Sequence, residues 1–368
     1  MFLYQHPVKV HFGQGVFSEL EDMLRPYNFS SYVIVMSASQ IDNGLDRLVK
    51  SQLGDDVKDV VTNITPNPTL EDVRRIVGVM ETHEADCLIA IGGGSVMDAA
   101  KAAAAVYLES IDIDRLLERT DFQVSLPVIA IPTTSGSGSE VTPVSVISDE
   151  ANSLKVPLMG EGLYPEVAIV DPELTLTCPA AVTAVSGIDV ICHALDCLGS
   201  AAHNPISDAL AVSAARLAFE NLERAYHEPM NNGVRENMAA ASLMAGMAIS
   251  QTGTSGSHAL SYYMTSHYGV PHGEACALTA GDWYIINAQA NPELDAHAEM
   301  IGFSDARDLN RRLDELKLAA GLAMTFEDLG IGHGGIEEII ERGFAAADMK
   351  NNMAQPEQAE VFRFLSQK

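Results

Sequence analysis

The chain has 368 residues, of which 47% are hydrophobic, and a formal net charge of −28 at pH 7. This length exceeds what a single hydrophobic core usually serves, so we expect two domains. The strong negative charge argues against a nucleic-acid partner, because phosphates would be repelled over most of the surface.

Cysteine usage and apolar runs bear on where the protein acts. Five cysteines without CxxC spacing indicate reduced thiols in the cytoplasm rather than a disulfide framework. The opening residues MFLYQHPVKVHFGQG lack the basic-then-apolar pattern of an export signal, so we expect mature protein there. We see no apolar run close to the roughly 18 residues of a membrane helix, and we therefore expect no membrane partner.

Strand-like and helix-like segments alternate through the first half of the chain. The apolar, β-branched segments that predict strands are 31–37, 56–64, 85–95, 126–140 and 166–174. The segments with helical spacing between them are 45–53, 70–84 and 96–108. Strands that alternate with helices of this length predict a parallel sheet with both faces covered.

The second half is rich in alanine, methionine and leucine at helical spacing. Three segments show this pattern most clearly, beginning at Ala180, Ile206 and Val234. We therefore predict an α/β domain over residues 1–178 and an all-helical domain over residues 179–368.

Two turns of small residues follow strand segments of the first half. In AIGGGSVMDAAK, Gly93, Gly94 and Ser95 lie where a strand ends and a helix begins. Glycines let a backbone approach its ligand closely, and a helix N-terminus offers free N–H groups to an anion. The second turn, PTTSGSGSE, offers the hydroxyls of Thr133, Thr134 and Ser137. Such turns at the carboxyl ends of parallel strands predict a dinucleotide site, and two tight connections without a ligand are the alternative.

The end of the first strand bears on which dinucleotide is bound. NAD-binding folds often place an acidic residue there to hold the ribose 2′-hydroxyl. This chain has Ser37 at that point, in VIVMSASQ, with no Lys or Arg beside it. Since nothing there would repel a 2′-phosphate, we favour NADP slightly and keep NAD open.

A polar stripe crosses the apolar segment GIDVICHALDCLGS. Asp189, Cys192, His193 and Asp196 fall at i, i+3, i+4 and i+7, so they share one face of a helix. Buried charge is costly without a partner, so this face needs either a metal ion or a hydrogen-bond network. The segment alone leaves both interpretations open.

Three histidines follow in SGSHALSYYMTSHYGVPHGEA. His258 lies in a helical pattern, whereas His272 follows Gly-Val-Pro in what we expect to be a turn. With Asp189 and His193 they could form a set of three imidazoles and one carboxylate, which suits Fe(II), with Zn(II), Co(II) or Mn(II) as alternatives. His267, nine residues after His258, would lie on a different face of the helix. It could support the ligands from behind, contact the substrate or be exposed to solvent.

The chain resembles the iron-containing (group III) alcohol dehydrogenase family over nearly its whole length. The motifs that carry the resemblance are FGQG, PNPT, GGGSVMDAAK, IPTTSGSGSEVT, DPELTLTCP, SGIDVICHALD and HALSYYMTSHYGVPHG. The resemblance implies a dinucleotide-binding α/β domain that faces a helical domain, with cofactor and metal in the cleft between them. It also suggests a homodimer.

The resemblance further assigns expected roles to individual residues. The implied metal ligands are Asp189, His193, His258 and His272. The implied cofactor contacts are Ser37, Asn67, Gly93, Gly94, Ser95, Asp98, Thr133, Thr134, Ser137 and Lys155. The implied activity is that of an NAD(P)-dependent alcohol dehydrogenase or aldehyde reductase, with Fe(II), or Zn(II) in its place, polarising the oxygen of a small alcohol or aldehyde.

One position departs from the family's pattern. Many members carry a further histidine four residues after the first of the closely spaced pair, and this chain has Tyr262 there. Tyrosine donates a hydrogen bond but is a poorer proton carrier at neutral pH. We keep His272, Tyr262 and His267 as catalytic candidates and expect a reshaped substrate pocket.

Other activities remain as alternatives. A dehydroquinate synthase-like enzyme or a phosphonoacetaldehyde reductase would need basic residues for an anionic substrate, and few lie near the histidine cluster. A glycerol dehydrogenase-like polyol enzyme is separated only weakly by sequence. The alternative that is not an enzyme is a non-catalytic nucleotide or metal sensor. The intact spacing of the metal ligands favours a catalytic protein over such a sensor.

Overall fold

The computed structural model describes residues 2–119, 121–149, 151–152 and 154–368. Contacts group these residues into two units. The α/β unit comprises His6–Thr134 and Ser139–Leu176, and the helical unit comprises Ser135–Gly138, Thr177–Lys368 and the N-terminal residues through Gln5. These contact units do not test the predicted domain boundary at residue 178, which stays a prediction.

A six-stranded sheet forms the centre of the α/β unit. Its strands are β1 (Lys9–Phe12), β2 (Tyr32–Met36), β3 (Val57–Val61), β4 (Cys87–Gly92), β5 (Val128–Pro132) and β8 (Val167–Val170). They pair in the order β1-β8-β5-β4-β2-β3, and every pairing is parallel. The predicted parallel sheet is therefore confirmed, with β1 as an additional edge strand.

The helices of this unit cover the sheet. They are α1 (Leu20–Leu24), α2 (Ala38–Asp42), α3 (Leu45–Leu53), α4 (Leu70–His83) and α5 (Gly94–Glu109). A capping box starts α4, in which the Asp72 N–H donates to Thr69 Oγ1 and the Thr69 N–H donates to the Asp72 carboxylate. Residues 102–105 of α5 are four fully buried alanines, whose small side chains let this helix pack closely.

A two-stranded antiparallel hairpin also belongs to this unit, built from β6 (Val144–Asp149) and β7 (Leu154–Met159). The strand predictions did not include it. Pro157 lies within β7, and a proline normally argues against a strand unless that strand is at an edge.

The helical unit contains the remaining helices. They are α6 (Ala180–Leu198), α7 (Pro205–His227), α8 (Asn232–Thr252), α9 (Gly256–Tyr268), α10 (His272–Ala290), α11 (Glu293–Ile301), α12 (Ala306–Ala319), α13 (His333–Ala345), α14 (Ala347–Asn351) and α15 (Gln358–Leu365). The largest core cluster of this unit draws on α6, α7, α8, α10, α11 and α12. This agrees with the prediction of a helical second half.

Helix α6 corrects one expectation about apolar runs. Its 19 residues are long and apolar enough to cross a membrane by length and composition alone, with 78% of the most apolar stretch buried inside the protein. The core helix of a folded protein passes the same test, and α6 carries buried Asp and His side chains among its apolar ones. The expectation that no run reaches this length was therefore wrong.

Candidate active site

The polar stripe on α6 lies inside the helical unit. Asp189 and His193 are each 5% exposed, and Asp196 is 3% exposed. Asp189 Oδ2 lies 3.9 Å from His193 Nε2. Burial lowers the pKa of His193, which keeps its imidazole neutral and able to donate a lone pair. The stripe thus brings a carboxylate and a neutral imidazole together in the interior.

Asp196 turns away from these two residues and bonds to the start of α9. One carboxylate oxygen accepts from the backbone N–H groups of Ser255 and His258, at 2.8 and 3.3 Å, and from His258 Nδ1 at 2.8 Å. The other accepts from Ser257 Oγ at 2.8 Å. Burial alone would raise the pKa of Asp196, but its bond to His258 and the bonds from the two serines hold it below the ordinary value.

This contact fixes the orientation of the His258 ring. An ionised carboxylate only accepts hydrogen bonds, so His258 Nδ1 carries a proton and Nε2 is the nitrogen left to bind a ligand. His258 Nε2 is buried, has no hydrogen-bond partner among the described residues, and lies 3.7 Å from Asp189 Oδ1. A carboxylate behind an imidazole whose other nitrogen is open is the usual support for a metal-ligating histidine.

His272 completes the histidine cluster. Its ring centroid lies 5.3 Å from that of His258, which in turn stacks on His193 at 4.7 Å. The structure corrects the expected turn, because His272 is the first residue of α10 and Pro271 is the residue before the helix. The next residue, Gly273, has room for no side chain: a Cβ there would lie 2.0 Å from Val185 O on α6.

Cys276 also lies at this cluster and was missed by sequence reasoning. Ligand-capable atoms of Asp189, His258, His272 and Cys276 all lie within 4.8 Å of one another, whereas the predicted ligand His193, which stacks on His258, is not in this group. The signal was available: Cys276 is four residues after His272, which is one turn along a helix. Because His272 is expected in a turn from the sequence, the four-residue spacing does not by itself predict that Cys276 lies beside it.

The donor set fits a divalent transition metal. Buried imidazole nitrogens and a carboxylate converge, and one of those nitrogens is open. Nitrogen and oxygen ligands of this kind suit Fe(II) and its neighbours in the first row. Leaving such groups buried without a ligand would be costly.

The other two catalytic candidates lie in different surroundings. The Tyr262 ring is parallel to that of His272, with centroids 6.3 Å apart. Burial first, and then the charge of Asp348, raise the pKa of Tyr262 well above its usual range. His267 is exposed and stacks on the Tyr263 ring at 4.8 Å, so the structure does not bring it to the cluster.

Most of the predicted cofactor residues of the α/β unit gather at one edge of the sheet. Ser37, Gly93 and Thr133 each follow the last residue of β2, β4 and β5, which are neighbours in the sheet. Gly94 and Ser95 begin the 16-residue helix α5. This is the arrangement in which open α/β sheets bind phosphates, at the carboxyl ends of strands and at a helix N-terminus.

Contacts within this edge hold the glycine turn in place. A Cβ at Gly93 would lie 3.3 Å from Thr134 Oγ1, so a side chain there would press on the second turn. The backbone N–H of Asn67, in the left-handed conformation at φ 59°, donates to Ser95 Oγ at 3.2 Å. Direct contact of these residues with a cofactor stays a prediction.

The last three predicted cofactor residues lie elsewhere. The Asp98 carboxylate is hydrogen-bonded within the protein, because it accepts from Ser139 Oγ at 2.7 Å and from the Val146 N–H at 3.0 Å. Burial raises the pKa of Asp98, and the charge of Lys155 on β7 is among the influences that oppose this. Ser137 lies in the segment Ser135–Gly138, which groups with the helical unit.

Two buried titratable side chains, Lys101 and Glu140, lie in the same region. Lys101 on α5 is 1% exposed and donates to the carbonyls of Thr142 and Val144, both at 2.9 Å. Burial lowers its pKa to about 8, and burial raises the pKa of Glu140 to about 7. These groups tie α5 to the chain that leads into β6.

Comparisons with known proteins agree with this site. Residues 7–172 match the family model for iron-containing alcohol dehydrogenases, and residues 183–368 match the model for the C-terminal part of the same family. The chain therefore belongs to the iron-containing alcohol dehydrogenase family and is an oxidoreductase of the alcohol–aldehyde class.

Individual relatives differ in substrate. The chain is 40% identical over 235 residues to the 1-propanol dehydrogenase PduQ of Salmonella typhimurium, covering 64% of this chain and 60% of that one. It is 29% identical to the sulfoacetaldehyde reductase of Bilophila wadsworthia, covering 95% and 94%. A solved structure of the sulfoacetaldehyde reductase from Bifidobacterium kashiwanohense, in complex with NAD+, aligns with a TM-score of 0.93 at 33% identity, covering 100% and 99%.

Proposed function

We propose that this enzyme interconverts a small, uncharged alcohol and its aldehyde, using NAD(H) and Fe(II) held by Asp189, His193, His258 and His272. The single observation that carries the proposal is the open, buried His258 Nε2 facing Asp189 Oδ1 at 3.7 Å, with Asp196 behind the ring. Iron bound there supplies Lewis acidity, which favours the transfer of hydride to or from the carbon of a substrate C–O group.

The protein's own residues position the reactants. Asp196 holds His258 in one tautomer, and Ser261 Oγ lies 3.4 Å from His272 Nδ1, within reach of a weak hydrogen bond to that ring. The α5 N-terminus and the Gly93–Ser95 turn offer backbone N–H groups to the pyrophosphate of the cofactor. We propose contacts to the rest of the cofactor by Ser37 and the two threonines of the second turn.

The preference for an uncharged substrate rests on the surroundings of Tyr262. Asp348 influences Tyr262 electrostatically and accepts from Thr254 Oγ1 at 2.8 Å. Asp348 thus carries negative charge beside Tyr262, whose ring centroid lies 6.3 Å from that of His272, and this charge would repel an anionic aldehyde bound next to Tyr262. Reduction of sulfoacetaldehyde is the second candidate, supported by the two reductases described above.

The choice of dinucleotide is part of the proposal. NAD(H) is favoured by family membership and by the NAD+ in the aligned reductase structure. Ser37 leaves NADP(H) as the alternative, because a serine hydroxyl does not repel a 2′-phosphate. We propose a homodimer in the cytoplasm, and the five free, buried cysteines are consistent with reducing conditions.

The test is metal removal followed by anaerobic reloading. Chelator-treated protein should lose turnover, and Fe(II) should restore oxidation of NADH with propionaldehyde, whereas sulfoacetaldehyde and NADPH should be poorer. His272→Ala should not be restored by Fe(II). His227→Ala, at an exposed residue of the helical unit, is the matched control and should be restored. Full activity in metal-free protein would overturn the proposal.

A further inference from the structure

We propose that Cys276 is a fifth protein ligand of the metal, so that the ion binds a thiolate in addition to one carboxylate and the imidazoles. The inference rests on the proposed function, because it concerns the same site. It adds a soft sulfur donor to a set otherwise composed of nitrogen and oxygen.

The position of Cys276 follows from the start of α10. His272 is the first residue of that helix and Cys276 is one turn further on, so the two side chains project from the same face. Gly273, between them, is the residue that lacks space for a Cβ against α6. The close approach of the two helices therefore carries both His272 and Cys276 toward Asp189.

The distances match those of atoms that share one ion. The Cys276 Sγ lies 3.9 Å from both ring nitrogens of His272. Bond lengths of ~2.1 Å to nitrogen and ~2.3 Å to sulfur, at the roughly 90–120° angles of a five-coordinate ion, would separate the two atoms by about 3.1–3.8 Å. The 3.7 Å between His258 Nε2 and Asp189 Oδ1 compares with about 3.0–3.6 Å expected for nitrogen and oxygen at such an ion.

The neighbouring cysteines of α6 differ from Cys276. Among the described residues the compact group of ligand atoms contains Cys276 but neither Cys192 nor its neighbour His193. Cys197 Sγ lies 3.8 Å from the Ser207 carbonyl, away from the ligands. Cys276 is therefore the thiol that the fold directs at the site.

A thiolate would change what the site binds. With Asp189 it brings two negative charges, which neutralise a divalent ion in an interior where net charge is costly. Sulfur also favours softer metals, so Zn(II) and Co(II) should bind more tightly than an imidazole–carboxylate set alone would predict. The identity of the bound metal then depends on Cys276 as well as on the histidines.

The experiment is anaerobic loading of the full chain with Co(II), read by absorption spectroscopy. We expect one Co(II) per chain and an intense near-ultraviolet band from thiolate-to-cobalt charge transfer. Cys276→Ser should bind Co(II) without that band and should hold Zn(II) at least about 100-fold more weakly in chelator competition, because a direct ligand should matter no less than a residue that supports one. The matched control Cys192→Ser should keep the band.

X-ray absorption spectroscopy supplies a further readout. X-ray absorption of Zn(II)-loaded wild type should show a sulfur shell at ~2.3 Å in addition to nitrogen and oxygen, and this requires no variant to fold. Stoichiometric binding without a sulfur signal would overturn the thiolate ligand and leave the proposed function standing. Absence of metal binding altogether would overturn both, and loss of the band in Cys192→Ser alone would show that the wrong thiol had been assigned.

Discussion

The carboxylate behind His258 offers the sharpest test of how this site holds a metal. Asp196 has one oxygen facing three N–H donors and the other facing only the Ser257 hydroxyl. In Asp196→Asn, the amide oxygen can take the first position, while the amide nitrogen donates to Ser257 Oγ, which is free to accept. The substitution therefore keeps the ring orientation and removes only the negative charge.

The expected loss of metal affinity depends on whether a substitution removes only the charge of Asp196 or its hydrogen bonds as well. Loss of charge alone should weaken metal binding by about tenfold, the lower end of the range for such supporting residues, which corresponds to ~1.4 kcal/mol. Asp196→Ala also frees the His258 ring and leaves three N–H groups without an acceptor, so about 100-fold is expected. Ser257→Ala removes one hydroxyl donor but leaves the charge of Asp196 and its three N–H donors in place, so metal affinity should fall by less than about tenfold.

The assay is competition for Co(II) or Zn(II) against a chromophoric chelator, with thermal unfolding of the metal-free proteins as a check on folding. We expect metal affinity to decrease in the order wild type, Asp196→Asn, Asp196→Ala. An Asp196→Ala protein that folds and binds metal within threefold of wild type would refute the role of Asp196. An Asp196→Asn protein indistinguishable from wild type would refute the part played by its charge.

Three further predictions test other contacts. Gly273→Ala should lower the melting temperature and weaken metal binding at least tenfold, because its Cβ would collide with the α6 backbone. Gly233→Ala is the control, since a Cβ there meets only an ordinary contact with a side-chain atom. It should leave metal binding unchanged and leave the melting temperature unchanged or slightly higher. Ser37→Asp should reduce kcat/KM for NADPH at least tenfold with little effect on NADH, since the new charge repels a 2′-phosphate and aspartate is tolerated at a helix N-cap; equal losses for both would contradict this. Glu140 has a folded-state pKa of about 7 against an ordinary value of 4.5, so the folded form binds the proton more tightly and loses stability as pH rises between these values. Glu140→Gln should remove this decline, gaining about 1–3 kcal/mol relative to wild type between pH 4.5 and 7.5 in urea unfolding, and parallel pH curves for the two proteins would argue against it.

Regular patterns in the sequence predicted much of the fold. The β2, β4 and β5 segments are continuous apolar runs, which is what a strand buried on both faces requires. The α3 segment 45–53 was located at its observed bounds, because its apolar residues recur at the helical period. The β6–β7 hairpin escaped prediction, since Pro157 weakens the strand signal and its pairing is set by neighbours distant in sequence.

The site was harder to predict from the sequence, because it depends on packing between helices. The one-turn spacing on α6 predicted that Asp189 and His193 share a face, and the structure places them in contact. No periodicity could show that Asp196 bonds to His258, which lies 62 residues away. Cys276 was missed because Gly-Val-Pro before His272 indicates a turn, whereas Pro271 here immediately precedes the first helical residue.

The proposed ligand residues of this enzyme come from three separate helices, α6, α9 and α10. An ion bound among them therefore acts as a cross-link between chain segments as distant as Asp189 and Cys276, and its binding energy adds to the folding energy of the helical unit. At a free metal concentration 1,000 times the dissociation constant, this amounts to ~4 kcal/mol. We expect cells short of metal to hold less of this protein as well as less activity, because proteases remove a chain that opens more often. The abundance of the enzyme would then report on metal supply without any dedicated regulator.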